Sequence, residues 1–308
     1  MSGAAGDGSG LGRGGRWIVV SLPYLWLLAL FLAPFLIVLK ISFAESILAQ
    51  PPYTALLAWI GEAGRKTLAF KATLANYQLL LSDDLYLRAY LNSLRIAATA
   101  TVLTLLIALP MAYGLARAPH RLRPYLLAAA ILPFWTSFLI RVYAWIGILK
   151  PEGLLNQALQ ALGIVDRPLV LLNTETAVLI GITYSYLPFM LLPLYASLEK
   201  LDYTLLEAAA DLGCRPVRAF WSITMPLAFP GVIAGVLLVF IPAVGEFVIP
   251  DLLGGSDTLM IGKTLWVEFF NNRDWPLASA AAVLLVILLV LPLTLLQQHQ
   301  SATIDPAA

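Results

Sequence analysis

Charged residues are scarce in this 308-residue chain: Asp, Glu, Lys and Arg together make up 12% of it, against 60% hydrophobic residues. That composition is too apolar for a soluble domain. The formal net charge of +1 gives no reason to propose a nucleic-acid partner. The one cysteine, Cys214, excludes an intramolecular disulfide, and the two histidines, His120 and His299, lie far apart along the sequence. These absences argue against redox, zinc and histidine-based chemistry.

A phosphate-binding loop of the form G-x-x-x-x-G-K-[ST] is also absent from the sequence. A chain without this loop cannot be the ATPase of a transport system. The residues also show no constellation suited to nucleophilic or acid–base catalysis. We therefore expect a non-catalytic protein that binds no cofactor or metal.

Long uncharged runs, by contrast, are frequent. A helix needs about 20 mostly apolar residues to cross the hydrocarbon core of a bilayer. Five uncharged runs reach that length, and a sixth is interrupted only by Arg141. The six runs are Trp17–Leu39, Ile96–Leu115, Tyr125–Leu149, Thr176–Leu198, Met225–Gly245 and Trp275–Leu296. The sequence therefore predicts an all-α membrane protein with six transmembrane helices and both termini on the same side.

The loop between the fourth and fifth runs, Glu199–Thr224, has the start and stop signals of two short helices. Asp202 can cap the first helix, and Gly213 stands where a left-handed C-cap is needed. Pro216 suits the first turn of the second helix, which is expected to end before Pro226. The pattern predicts a helix–turn–helix on the membrane surface.

The surface chemistry of this loop suits docking. Ala208, Ala209 and Ala210 form a patch with small side chains that lets a partner's backbone approach, and Glu207 supplies a charged anchor beside it. Larger apolar side chains are expected to hold the loop against the helix bundle: Leu205, Leu206, Phe220 and Trp221. On the residues alone, an interfacial helical loop without a partner fits equally well.

The spacing resembles a cytoplasmic motif of the permease subunits of ABC importers, written as EAA, three residues, Gly, nine residues and Ile-x-Leu-Pro. The matching residues are Glu207, Ala208, Ala209, Gly213, Ile223 and Pro226, with Met225 in place of the motif's Leu. The resemblance implies a type I ABC importer permease fold and a coupling helix that sits in a groove of the ATPase subunit. It also implies that this loop and both termini are cytoplasmic. The tight basic cluster Arg117–Arg123 favours the same orientation.

This topology divides the chain into segments. Residues 1–16 are predicted to be a disordered cytoplasmic tail, and residues 17–95 the first transmembrane helix with a periplasmic loop. Residues 96–297 form a five-helix permease core that contains the cytoplasmic coupling loop 199–224. Residues 298–308 form a second cytoplasmic tail.

Other segments are similar to the spermidine/putrescine permease family, to its first-permease type, and to the putrescine type more than the spermidine type. These segments are Asn76-Tyr77, Asn92–Leu94, Leu132–Ser137, Gly245–Pro250, Leu252–Gly255, Met260–Lys263 and Asn271–Pro276. The resemblance implies polyamine import across the bacterial inner membrane, coupled through residues 199–226. It implies four kinds of partner: a second homologous permease, a dimer of ATPase subunits that use ATP and Mg, a periplasmic polyamine-binding protein, and membrane lipid.

A path for a polycation should offer carboxylates and aromatic faces, because cations bind over aromatic rings. Glu246 follows a long uncharged run and Asp251 comes five residues later; an ionisable group at such depth usually marks a pathway or a buried pair. Packing and the membrane interface are the alternative for the aromatic candidates. These candidates are Trp135, Tyr143, Tyr184 and Tyr186.

Arg141 is the exception on such a path, because a cation would repel the substrate. Our hypothesis is that Arg141 pairs with a carboxylate, for which Glu246 is a candidate, and that this pair opens during transport. The alternative is that Arg141 extends to the outer interface of the membrane.

Other classes of protein explain part of the sequence. A secondary transporter driven by an ion gradient would account for six spans and a buried Glu246, but not for the motif at Glu207–Pro226. A membrane-embedded enzyme would need converging polar residues inside the spans. An ABC permease for ferric iron, thiamine or an opine-like amine keeps the motif and changes only the cargo.

Overall fold

The computed structural model describes residues 13–60, 67–256 and 258–304, and this part of the chain is helical apart from one short pair of strands. The elements in chain order are α1 Arg13–Leu27, a π turn Leu28–Leu32, α2 Ala33–Ser42, β1 Leu57–Ile60, β2 Thr67–Phe70, α3 Ala75–Ser82, α4 Asp84–Arg117, α5 Arg123–Ile131, a 3₁₀ turn Leu132–Trp135, α6 Phe138–Leu149, α7 Leu154–Ala161, α8 Glu175–Glu199, α9 Thr204–Asp211, α10 Pro216–Ala219, a π turn Phe220–Thr224, α11 Met225–Val244, α12 Val248–Leu252, α13 Ile261–Trp266, a π turn Val267–Asn271 and α14 Trp275–Ile304.

The apolar runs lie in helices, apart from a break at Thr136-Ser137 in the third run. Over the described ranges, five helices are long and apolar enough to cross a membrane, and one bent pair raises the number to six. That pair, Arg123–Trp135 and Phe138–Ala161, bends by 86° and contains the run interrupted by Arg141. The predicted all-α class with up to six spans is therefore confirmed.

The ends of the predicted segments differ from those of the helices. Residues 13–16 of the first predicted tail already belong to α1, and α14 continues through Ile304 into the second. Residues 1–12 and 305–308 of these tails lie outside the described residues. α4 begins at Asp84, twelve residues before the predicted span, because the Asp83 carboxylate accepts a hydrogen bond from the Leu85 N–H at 2.9 Å and caps the helix.

The first long loop contains an antiparallel pair of strands that the sequence analysis did not predict. Leu57 lies opposite Phe70, and Ile60 lies opposite Thr67. Each strand has four residues. Strands this short give too few alternations to be recognised from periodicity.

The chain divides into two compact units. One contains the described residues up to Ser82 together with those from Glu268 onward, and in it α14 packs against α2 and α3. The other is Asp83–Val267, in which α4, α8 and α11 pack against one another. The predicted division at residues 95 and 297 stays a prediction.

Small residues bring α11 close to α8 in the second unit. A Cβ atom on Gly231 would lie 2.4 Å from the Ser197 Oγ, and one on Gly235 would lie 2.6 Å from the Met190 Sδ. These two glycines are four positions apart and thus lie on one helix face. Small residues at this spacing permit the close approach that holds helices together in a bilayer.

Two π turns end immediately before a residue that precedes proline. The first ends before Ala33-Pro34 and the second before Met225-Pro226. Proline removes a backbone donor and its ring clashes with the carbonyl four residues earlier, so a wider turn relieves the helix. The Met225 N–H accordingly bonds to the Phe220 carbonyl, five residues back. The prediction that the second loop helix ends before Pro226 is therefore wrong, since one apolar helix runs over Pro216–Val244.

Candidate functional site

The predicted first helix of the loop is α9, which starts at Thr204. The Asp202 Oδ1 accepts a hydrogen bond from the Thr204 N–H at 3.0 Å. This bond holds the pKa of the Asp202 carboxyl below its usual value, because it favours the charged form. The capping role of Asp202 is confirmed.

Gly213 ends α9 in the left-handed conformation, with φ of +77°. The Gly213 N–H bonds to the Ala210 carbonyl at 2.8 Å, and the Cys214 N–H bonds to the Ala209 carbonyl at 2.9 Å. These two bonds are the pair that defines a Schellman turn. The sequence prediction for Gly213 is confirmed, and the turn fixes the direction in which the chain leaves α9.

The C-terminal end of α4 holds the loop in place. The Tyr203 hydroxyl donates to the Ala116 carbonyl at 2.9 Å. The Phe220 ring meets the Tyr113 ring edge to face at 5.4 Å, and the Arg117 guanidinium lies 4.8 Å from the centre of the same Tyr113 ring. The loop is thus joined to α4 through a hydrogen bond and aromatic contacts.

An apolar surface on the loop is uncovered in this chain. Its exposed side chains, which we name the docking patch, are Leu205, Ala208, Leu212, Val217 and Trp221. The first three lie on one face of α9 and its C-cap, at spacings of three and four residues. Leu212 is 89% exposed and Trp221 is 61% exposed. The expectation that Leu205 and Trp221 hold the loop to the bundle is therefore wrong, whereas Leu206 and Phe220 are half-buried.

The other motif residues surround this patch. Glu207 is exposed, Ala209 is half-buried, and Ile223 is half-buried within the π turn before α11. Pro226 is exposed in the first turn of α11. The motif thus forms one continuous surface element from α9 to the start of α11.

Glu246, the deepest predicted carboxylate, is buried at the break between α11 and α12. Its Oε2 accepts a hydrogen bond from the Tyr186 hydroxyl at 2.5 Å. Its Oε1 accepts from the backbone N–H groups of Phe247 at 3.1 Å, Val248 at 3.0 Å and Ile249 at 3.4 Å. Seven residues were candidates for the path. Within the described ranges, one hydrogen bond or ring contact joins two of them, and it is the bond between Tyr186 and Glu246.

The remaining path candidates have other neighbours. Asp251 lies 3.4 Å from the Lys263 Nζ in an ion pair. The Tyr184 ring lies between the Phe134 and Trp145 rings, at 5.4 and 5.5 Å. Trp135 and Tyr143 are largely exposed.

Arg141 does not pair with Glu246, so that hypothesis is wrong for this structure. Its Nη1 donates to the Thr136 carbonyl at 2.9 Å, and its guanidinium lies 5.0 Å from the centre of the Phe134 ring. The break before α6 leaves the Thr136 carbonyl outside a helix, and Arg141 satisfies it from one turn further along the chain. The sequence signal for this break was Pro133 followed by Thr136-Ser137.

Sequence reasoning missed the residues that fold the segment after Glu246. The Ser93 Oγ on α4 accepts a hydrogen bond from the buried Ile261 N–H at 2.7 Å. The Phe247 and Trp266 rings stack with their centres 4.5 Å apart. A Cβ atom on Gly262 would lie 2.4 Å from the Gly245 carbonyl oxygen, so only glycine permits this approach. Ser93 and Gly262 belong to segments that carried the family resemblance, but nothing in their spacing indicated the contacts.

Gly262→Ala is expected to lower the thermal stability and the membrane content of the protein. The added methyl group meets backbone oxygens, which cannot rotate away as a side chain does, and overpacking of this kind costs about 1–3 kcal/mol. Gly147→Ala on α6 is the matched control, since a Cβ atom there meets nothing within 4 Å. Thermal unfolding in detergent should show a lower midpoint for the first variant alone; equal midpoints would contradict the close contact.

Comparison with known proteins agrees with this architecture. The profile of the family described as "binding-protein-dependent transport system inner membrane component" matches residues 12–305. The chain is 41% identical over 274 residues to the spermidine/putrescine transport system permease protein PotB of Haemophilus influenzae, covering 89% of this chain and 90% of the relative. It is 48% identical over 221 residues to the protein of the same name from Escherichia coli K12, covering 72% and 80%.

Among solved structures, a chain of a bacterial alginate ABC transporter, in complex with an alginate-bound periplasmic protein, superimposes with a TM-score of 0.67 and covers 96% of this chain and 97% of its own length. Its sequence identity is 16%, so this likeness shows the fold alone. The fold predicted from the sequence is confirmed. The chain belongs to the family of binding-protein-dependent transport system inner membrane components.

Proposed function

We propose that this chain is the first permease subunit of an ABC importer that carries putrescine or spermidine across the bacterial inner membrane. The similarity to relatives of 41% and 48% identity, both named spermidine/putrescine permeases, carries this proposal. The chain supplies the passage and does no chemistry. A separate ATPase dimer uses ATP and Mg, and the N and C termini lie in the cytoplasm.

The docking patch is the surface on which the ATPase acts. It is apolar, uncovered and rigidly built, since α9 is capped at one end by Asp202 and at the other by the Schellman turn at Gly213. The small side chain of Ala208 lets a groove of the partner approach the helix backbone. Glu207 supplies a charge at the rim, which orients the partner.

The coupling step follows from the way the loop is anchored. When ATP closes the two ATPase subunits, each docked loop moves with its subunit. The Tyr203–Ala116 hydrogen bond and the Phe220–Tyr113 contact transmit that movement to α4. The continuous helix Pro216–Val244 transmits it to the break at Glu246. The passage between this chain and a second, homologous permease then opens to the periplasm, where a polyamine-binding protein releases its cargo.

Glu207→Lys tests the coupling step. We expect the variant to be inserted in normal amount, to retain less ATPase in a pull-down and to lose uptake, because the rim charge is reversed. Glu152→Lys is the control: Glu152 is also exposed but lies far from the docking patch along the chain. Full ATPase retention by Glu207→Lys would contradict the docking role.

The cargo is tested separately with radiolabelled putrescine and spermidine in cells that express the complete importer. Uptake should stop when ATP is depleted and persist when the membrane potential is collapsed. Persistence after ATP depletion would instead support a secondary transporter. Stabilisation of the cognate binding protein by ferric iron, thiamine or an opine, and not by a polyamine, would identify the other cargo.

A further inference from the structure

Glu246 lies deep in the protein. It is 8% exposed. Its partner Tyr186 lies thirteen positions before the end of α8 at Glu199, which is about 20 Å at a rise of 1.5 Å per residue. The Glu246 carboxylate is therefore remote from the end of α8 that leads into the loop 199–224. An ionisable group at that depth needs partners that offset its lost hydration.

Hydrogen bonds from this chain engage both oxygens of the Glu246 carboxylate. A carboxylate offers about four acceptor sites, two on each oxygen; here three backbone N–H groups bond to Oε1 and the Tyr186 hydroxyl bonds to Oε2. The N–H groups belong to the start of α12, where a helix has no internal acceptors of its own. The Glu246 side chain replaces those missing acceptors, and Tyr186 ties the same carboxylate to α8.

The residues that follow fold back onto this cap. The segment 246–266 returns so closely that a Cβ atom on Gly262 would lie 2.5 Å from the Glu246 carbonyl oxygen. The Phe247–Trp266 stack and the Asp251–Lys263 ion pair join the beginning of this segment to its end. The cap therefore supports a folded segment with contacts to α4 and α8.

We infer that Glu246 is a positioning residue that folds the segment 246–266, and that its carboxylate does not bind the transported cation. A cation ligand needs accessible lone pairs, whereas the Glu246 carboxylate is buried and each of its oxygens already accepts from a donor of this chain. The part of this inference that concerns the transported cation rests on the proposed function. It assigns recognition of the polyamine charge by this subunit to groups other than Glu246.

Glu246→Gln and Glu246→Ala separate positioning from cation binding. The glutamine oxygen can accept from the same three N–H groups, and its NH₂ can donate to the Tyr186 oxygen, so uptake rate and KM should stay within about two-fold of the wild type. Alanine leaves buried N–H groups without acceptors, so uptake should fall about ten-fold or more. A glutamine variant as inactive as the alanine variant, at equal amounts in the membrane, would overturn the inference.

A readout independent of the cargo uses the buried Thr264 on α13, which is 7% exposed. In a Cys214→Ser background, Thr264→Cys supplies the one thiol of this chain. Its rate of labelling in the assembled importer reports whether the segment is folded. We expect slow labelling of Thr264→Cys, both by itself and combined with Glu246→Gln. Combined with Glu246→Ala, labelling should be at least about ten-fold faster, because that variant loses the buried hydrogen bonds. Equal labelling in all three would overturn the positioning role. Failure of the wild-type importer to take up polyamines would refute the proposed function, whereas the labelling result would still decide the role of Glu246.

Discussion

Gly213→Val should reduce uptake about ten-fold or more, because left-handed backbone costs a residue with a Cβ atom about 1–2 kcal/mol. The φ of +77° is the reason, since no heavy atom lies within 4 Å of the added Cβ. To escape the strain the chain must leave the Schellman turn. The direction from α9 to α10 then changes, and the two parts of the docking patch no longer face one partner. The measurement is ATP-dependent uptake at equal membrane content.

Two variants separate this effect from a general loss of stability. Gly213→Asn should keep most of the uptake, because asparagine tolerates the left-handed region. Gly163→Val imposes the same strain after α7, where Gly163 has φ of +66° and likewise meets nothing within 4 Å. It should leave ATPase association intact. If Gly163→Val lost the ATPase as completely as Gly213→Val, the proposed role of the coupling turn would be refuted.

Leu212→Glu should abolish association with the ATPase while the protein still folds and inserts. Leu212 is 89% exposed, and exposed substitutions usually change stability by about 0.5 kcal/mol or less. In the complex the same side chain is expected to be covered by the partner, where an unpaired carboxylate costs several kcal/mol. A cost of about 3 kcal/mol weakens affinity by about a hundred-fold. The measurement is retention of the ATPase by the purified permease.

Leu162→Glu is the matched control, because Leu162 is 73% exposed and also follows a short helix at its C-cap. It introduces the same charge outside the docking patch and should retain the ATPase. Normal retention by Leu212→Glu would show that the patch is not the contact surface. Loss in both variants would point to added charge in general.

The parts of the site that could be predicted are those with local causes. A cap at Asp202, a left-handed glycine at Gly213 and a proline in the first turn of α10 each act within a few residues along the chain. The structure confirms all three. The exposed side chains of the loop could not be predicted as well, because the exposure of Leu205 and Trp221 depends on how the loop packs against α4.

The failed prediction for Arg141 concerns a contact between distant residues. Arg141 and Glu246 are more than a hundred positions apart in sequence, and opposite charge alone suggested that they pair. The break before α6 instead offers Arg141 a nearby carbonyl, and the start of α12 offers Glu246 three N–H groups. A free backbone group close in sequence was the better partner in both cases.

By itself, the sequence determined the all-helical membrane class, the apolar runs and the turn at Gly213, because hydropathy, capping and glycine conformation act over short stretches of chain. The tertiary structure alone decided that a helix continues through Pro226, that the run around Arg141 is bent and that Glu246 supports a folded segment. These features depend on where unsatisfied backbone groups come to lie once helices pack. In a bilayer, where water cannot satisfy them, that position decides which side chains they bind.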